Sequence, residues 1–257
     1  MTPRPGWAER EQPCPGAGVR TTVADMNEVR EYQVHGVRLV CELAGPADGP
    51  PLLLLHALGE DRGSWSAVGG ALAADGWRTI APDLRGHGDS DHPGDYAFEA
   101  MRDDVFGLLD AMGVRRVTVV AHSLGTVVAS LVAMDRPELV DRLVLEEGPL
   151  PFPADPPRPE VSGPGPEPVS YDWRVVAEVA RQRNAPAARH WDGLAEITAR
   201  TLIIAGGPLS HLRQDQLALV AERIPDARLT TIEAGHMIHD TRPSDYLAEV
   251  RAFLQPA

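Results

Sequence analysis

A chain of 257 residues, 43% hydrophobic and 24% charged, has the size and composition of one sizeable soluble domain or two small ones, which excludes a collagen, a coiled coil and a fully disordered chain. Its formal net charge of −13, from 24 basic against 37 acidic residues, repels phosphate backbones and anionic membrane surfaces and argues against a nucleic-acid partner. Every basic residue is Arg, so chemistry that needs a Lys base or a Lys Schiff base is excluded as well.

The first 25 residues, rich in Pro, Gly and charge and without an apolar stretch, predict a disordered tail rather than a secretory signal. Met26 opens the first patterned segment and is an alternative start of the chain. The two cysteines, Cys14 and Cys41, are too few for a disulfide framework and belong to no metal-ligand spacing. A reducing, cytoplasmic setting is expected. The longest nearly apolar runs, such as Pro50 to Leu55 and Val117 to Ala121, fall far short of the roughly 20 residues that span a bilayer, so no membrane partner is expected.

In chain order, Val29 to Val34 and Val37 to Leu43, separated by His35-Gly36, read as a hairpin. Apolar strand patterns follow at Leu52 to His56, Arg78 to Asp83, Val117 to His122, Asp141 to Glu147, Thr201 to Gly206 and Ala227 to Glu233. Continuous apolar runs of this length suit parallel strands covered on both faces. Helical patterns lie between them at Trp65 to Ala74, Tyr96 to Met112, Leu124 to Arg136, Asp215 to Ile224 and Ser244 to Leu254. An opening hairpin followed by strand–helix–strand units predicts an α/β fold with a doubly wound, mostly parallel, eight-stranded sheet flanked by helices.

One stretch breaks the rhythm. Between Pro149 and Pro168 nine of twenty residues are Pro, and Tyr171 to Arg183 and Trp191 to Ala199 then read as helical. This is too long for an ordinary connection. Residues 149–199 are therefore expected to form a small Pro-rich helical lid, inserted into a core domain made of residues 26–148 and 200–257.

The chemistry concentrates in Val119 to Ala133, where an apolar strand runs into Ala121-His122-Ser123-Leu124-Gly125 and then into a helix of small residues. Ser123 falls on a sharp strand-to-helix turn, a nucleophile elbow, with Ala121 where the pattern normally has Gly. The helix points its positive end at Ser123, and the Leu124 N–H is free to donate to an oxyanion. A serine nucleophile needs a base. His236, in EAGHMIHDTRP directly after the last strand pattern, follows the serine, an order other than that of chymotrypsin. His239, three residues on, reads as a helix-entry or packing residue.

From Val29 to Leu254 the chain resembles the α/β-hydrolase superfamily. The elbow and His236 carry the resemblance, together with LLLLHALGEDRGSW and PDLRGHGDSD (Pro82 to Asp91). It implies that Leu58 supplies the second oxyanion N–H, although His56-Ala57 stands where the family usually has His-Gly. It also implies that Asp83, Arg85 and Gly86 are structural, so that Asp83, His87, Asp89 and Asp91 do not form a metal site. The family most often places the triad acid after the strand equivalent to Thr201–Gly206, but there this chain reads Gly206-Gly207-Pro208-Leu209-Ser210-His211. Relatives such as haloalkane dehalogenases carry the acid after the strand that follows the nucleophile helix. That position is Glu147, with Glu146 beside it and Asp215 as a more distant alternative. An unpaired carboxylate is costly to bury, so one of these strand-end acids should have a partner, and Glu147 is expected to orient His236.

His122, Trp173 and Trp191 are candidate pocket residues, with Trp65 near the oxyanion loop. His211 is expected to have a structural role, capping its loop or touching the lid. The chemistry implied is acyl transfer: Ser123 attacks the carbonyl of a small-molecule ester, lactone or thioester with His236 as base and Glu147 behind it. A serine at the elbow argues against haloalkane dehalogenase and epoxide hydrolase chemistry, which use Asp there. No organic cofactor and no metal are called for, and the oligomeric state, a homodimer included, stays open. The alternatives are another reaction on the same fold, such as C–C bond hydrolysis, a lyase step or a cyclisation, and a non-catalytic ligand-binding protein.

Overall fold

The computed structural model describes residues 28–166 and 168–255; the expected tail at 1–25 and the alternative start at Met26 lie outside the described residues. The hairpin forms as β1 (Glu28–Val34) and β2 (Val37–Ala44). Then come β3 (Pro51–Leu55), α1 (Ser66–Ala74), β4 (Arg78–Pro82), α2 (Phe98–Ala111), β5 (Val117–His122), α3 (Leu124–Asp135) and β6 (Val140–Glu146). After a long excursion the chain resumes with β7 (Arg200–Ala205), α6 (Gln214–Arg223), β8 (Ala227–Thr231), α7 (Ile238–Thr241) and α8 (Pro243–Leu254); the excursion itself carries α4 (Trp173–Asn184) and α5 (Arg189–Asp192).

All eight strands lie in one sheet, in the order β1-β2-β4-β3-β5-β6-β7-β8. β2 runs antiparallel to both its neighbours, and every pairing from β4 to β8 is parallel. Strand side chains alternate between faces, and the core divides accordingly. Leu53, Leu55, Val119, Ala121, Leu143 and Leu145 face α2, α3 and α6 on one side. Leu52, Leu54, Val120, Val144, Leu202 and Ile204 face α1 and α8 on the other. That double cover is why β5 is buried at all six positions and why its sequence shows no alternation of apolar with polar residues.

The expected helix over Trp191–Ala199 does not form. The chain makes the four-residue α5, then a tight 3-10 turn at Gly193–Glu196, and Ile197 is already extended. Gly193 lets the chain pass close to α3: a Cβ there would lie 2.7 Å from Met134 Sδ. The break thus trades helical continuity for close packing. α7, absent from the expectation, is a single turn too short to show a period.

The excursion is tied down on the core. Tyr96 Oη donates to Asp172 Oδ2 at 2.6 Å, the Phe98 N–H donates to Gln182 Oε1 at 3.1 Å, and the Asp172 N–H donates to the Gly86 carbonyl at 2.8 Å. Beneath it, Arg85 makes a bidentate pair with Asp104, both contacts at 2.6 Å and both side chains buried. Asp83 accepts from the backbone N–H groups of Arg62 (2.7 Å) and Asp89 (2.9 Å). These acids are occupied in holding the Pro82 to Asp91 loop.

Candidate active site

The parallel arrangement brings the C-terminal ends of β5 and β6 side by side, and ligands in such sheets bind at that edge. Ser123 follows β5 with φ +48 and ψ −108, and Glu147 follows β6 with φ +55. Non-glycine residues seldom adopt a positive φ, and such strain concentrates where a side chain is held for use. Both are locked by continuation of the ladder: the Ser123 N–H donates to the Glu146 carbonyl and the Glu147 N–H to the Ile204 carbonyl, each at 3.0 Å. Gly125 lets α3 start flush against β3, since a Cβ at that position would lie 2.3 Å from the Leu55 carbonyl oxygen. Leu124, the first residue of α3, keeps an N–H that the helix itself cannot satisfy.

Ser123, Leu124, Leu58, His122, Glu147, His211 and His236 line one cavity of about 220 Å³. Glu147 Oε2 faces His236 Nδ1 at 3.2 Å. The same carboxylate accepts from the Gly206 N–H at 2.6 Å, from Gln214 Nε2 at 3.3 Å and from the Ser210 hydroxyl. Burial opposes ionisation here, but the hydrogen bonds from His236, Ser210, Gly206 and Gln214 outweigh it and hold the Glu147 carboxyl below its ordinary range. With Nδ1 turned to Glu147, the nitrogen left for a proton exchange with a serine hydroxyl is Nε2.

The neighbouring acid does something else. Glu146 Oε1 accepts from the N–H groups of Ile238 (2.7 Å) and His239 (2.9 Å), and Oε2 faces His239 Nδ1 at 2.8 Å. It caps α7. The two consecutive acids therefore serve two different histidines, and Asp215 is taken by Arg213 at the surface, Oδ2 to Nη2 at 2.5 Å.

The Gly206–His211 loop, where the family acid was missing, supplies two of the donors to Glu147. A Cβ on Gly206 would lie 1.9 Å from the Gly235 carbonyl oxygen. Only glycine lets the loops after β7 and β8 meet there and set His236 above Glu147. His211 packs on His236, ring centroids 4.4 Å apart. Burial first, and then the facing His236, push His211 below its ordinary value.

Trp173 and Trp191 are not part of this cavity. Trp191 packs against Phe152, centroids 5.0 Å apart, beneath the Arg223 guanidinium. Trp173 opens α4 and lines a separate surface depression beside His92. The Pro-rich segment turns the excursion so that Leu150, Arg158, Val179 and Arg183 meet the cavity instead. Trp65 is buried and stacks on His239 at 4.3 Å.

Residues that sequence reasoning missed are Glu60, Ser210, Gln214, Arg158 and Arg183. Ser210 lies in the segment where the resemblance calls for an acid, and Glu60 two residues past Leu58; the two arginines carry no local signal. Donor atoms of Glu60, His122 and His239 lie within 4.8 Å of one another, an arrangement able to hold a cation if His122 offers a lone pair. However, both nitrogens of His122 face acceptors, Nε2 the His236 carbonyl at 2.9 Å and Nδ1 Glu60 Oε2 at 3.5 Å. Although burial opposes it, Glu146 and Glu60 raise the His122 value. Burial likewise opposes ionisation of Glu60, but the His122 contact overrides it and brings Glu60 down to about 2. Both shifts point the same way, toward a Glu60 carboxylate facing a protonated His122 ring, in which neither nitrogen offers a lone pair to a metal.

The sign of the pH dependence follows. Glu60, lowered from 4.5, contributes stability that is complete above pH 4.5 and is lost as the pH falls toward 2; His122, raised from 6.5, contributes stability that is complete below pH 6.5 and is lost as the pH rises through its folded value. Urea unfolding should show wild type exceeding Glu60→Gln by on the order of 2–3 kcal/mol at pH 5.5, with the gap narrowing by pH 3. A gap independent of pH would overturn the ion pair.

A family model described as alpha/beta hydrolase fold matches residues 50–192. A Mycobacterium tuberculosis protein, itself uncharacterized, is 44% identical over 113 residues, which cover 44% of this chain and 32% of that protein. The match thus spans about a third of the length of the mycobacterial relatives. An sn-1-specific diacylglycerol lipase of Mus musculus is 25% identical over 255 residues, covering 82% of this chain and 83% of the lipase. Among solved structures, a hydrolase from Pseudomonas aeruginosa superposes with a TM-score of 0.74 at 26% identity, covering 89% of this chain and 98% of the other.

Proposed function

From a chain that belongs to the alpha/beta hydrolase fold family, we propose a serine hydrolase that cleaves a carboxylic ester, lactone or thioester of a small molecule through an acyl-enzyme. The observation that carries this reading is the strained Ser123, opening into the same cavity as a His236 whose Nδ1 faces the multiply hydrogen-bonded Glu147.

Ser123 Oγ attacks the substrate carbonyl carbon as its proton passes to His236 Nε2, and the Leu58 and Leu124 N–H groups hold the oxyanion. Collapse of the tetrahedral intermediate breaks the bond to the leaving alkoxide or thiolate, which takes the proton from His236. Water, deprotonated by the same imidazole, then attacks the acyl-enzyme, and Ser123 recovers its proton as the acid departs. Glu147 stabilises the imidazolium at each of the two stages. In this reading the excursion between β6 and β7 acts as the lid, closing over the cavity with Leu150 and Val179.

A fluorophosphonate should label wild type at Ser123, read by peptide mass spectrometry, and should leave Ser123→Ala unlabelled. Folded wild-type protein that stays unlabelled would remove acyl transfer and favour a non-covalent reaction or ligand binding.

A further inference from the structure

The cavity at Ser123 is lined by two acids and two arginines inside a chain of net charge −13. Its two acids are both engaged with histidines, Glu147 with His236 and Glu60 with His122. That leaves two arginines on its lining, Arg158 and Arg183. Guanidiniums elsewhere in the molecule find carboxylates, as in Arg62–Asp83, Arg85–Asp104 and Arg102–Asp135. Among the described residues no acid pairs with Arg158 or Arg183. Arg183 reaches only the Phe152 carbonyl, Nη1 to O at 3.4 Å. Arg158 is held by its backbone, its N–H donating to Asn184 Oδ1 at 2.7 Å and its carbonyl accepting from Asn184 Nδ2 at 2.9 Å, so its guanidinium is uncommitted. Asp155 shares an adjoining cavity with both arginines but makes no ion pair with either, and its charge acts on Arg213.

Arg158 is exposed and Arg183 half-buried; like charges facing one cavity are unfavourable where one of them is withdrawn from water, and an anion between them relieves this. Burial first, and then the charge of Arg158, depress Arg183 to about 10. The planar fork of a guanidinium matches a carboxylate or phosphate edge with paired N–H donors.

We infer that Arg158 and Arg183 bind an anionic group of the substrate, a carboxylate or a phosphate, while its ester carbonyl lies at Ser123. This inference rests on the acyl-transfer reading and narrows it to esters that carry a negative charge. The Pro-rich excursion supplies one guanidinium and α4 the other, and Asn184 of α4 clamps the two segments together.

The test compares p-nitrophenyl valerate with its carboxylate-bearing counterpart, p-nitrophenyl hemiglutarate, and with a phosphate-bearing p-nitrophenyl ester. Wild type, Arg158→Gln, Arg183→Gln and the surface control Arg181→Gln are assayed. The expected result is a kcat/KM for one of the anionic esters at least tenfold above that for valerate, with the ratio falling at least tenfold in Arg158→Gln and Arg183→Gln and holding in Arg181→Gln. The better anionic ester identifies the group. Protection of Ser123 from the phosphonate by glutarate or inorganic phosphate is read in parallel, needs no turnover, and should be lost in Arg158→Gln. If Arg183→Gln does not fold, Arg158→Gln carries the test alone. Wild type that labels at Ser123 but shows neither anionic preference nor anion protection, or variants that keep the wild-type ratio and protection, would overturn this inference and leave the hydrolase reading standing. Absence of labelling would instead overturn the hydrolase reading.

Discussion

Glu147→Gln is expected to lower kcat for ester turnover by about 10³–10⁴ with a much smaller change in KM. The reason is the proton on His236. A carboxylate facing Nδ1 keeps the proton on that nitrogen and leaves Nε2 as the base. A Gln amide can turn its NH₂ toward Nδ1 and keep its oxygen for the Gly206 N–H, which reverses the tautomer and removes the lone pair that Ser123 needs. The imidazolium formed during the reaction also loses its counter-charge. Pre-steady-state and steady-state kinetics on a p-nitrophenyl ester give the effect directly, with fluorophosphonate labelling rate as a second readout. A Glu147→Gln enzyme within tenfold of wild type would mean that the orienting acid lies elsewhere.

Glu146→Ala should instead cost stability, about 3–5 kcal/mol in urea unfolding. The carboxylate is fully buried and accepts three donors, the N–H groups of Ile238 and His239 and His239 Nδ1. Its removal strands all three away from water. Because α7 follows His236 within two residues, loosening it should also shift the base, so a partial loss of activity is expected alongside the stability loss. Were Glu146→Ala as stable as wild type, the cap on α7 would not hold the loop, and the packing of Trp65 on His239 would have to do so.

Adjacent acids with such different expected effects show where reading the chain stops. Both sit at the end of an apolar run, where the sequence calls for a partner to one of them without saying what the other does. Consecutive residues at a strand end face opposite ways, and the positive φ at Glu147 turns that side chain toward the loop after β7. Nothing local to Glu146-Glu147 says which loop arrives on which side. Likewise Ser210 and Gln214 became recognisable as donors only when β7 was laid beside β6, since they lie more than 60 residues from the acid they serve. The candidate pocket tryptophans went astray for the same reason: aromatic residues in an excursion signal packing, and which way they pack depends on a Pro-rich path with no periodicity to read.

By itself the sequence determined the sheet and helix layout, the strand-to-helix turn at Ser123 and the place of His236 just after the last strand. Each of these is a local matter of apolar runs of strand length, helical periods, and small residues at the turn where chain segments must approach closely. Tertiary structure alone decided that Glu146 caps α7, that Glu60 pairs with His122, and that Arg158 and Arg183 converge on the cavity. Those pairings join residues from distant parts of the chain, and their energies depend on burial and on charges that meet only once the sheet is assembled.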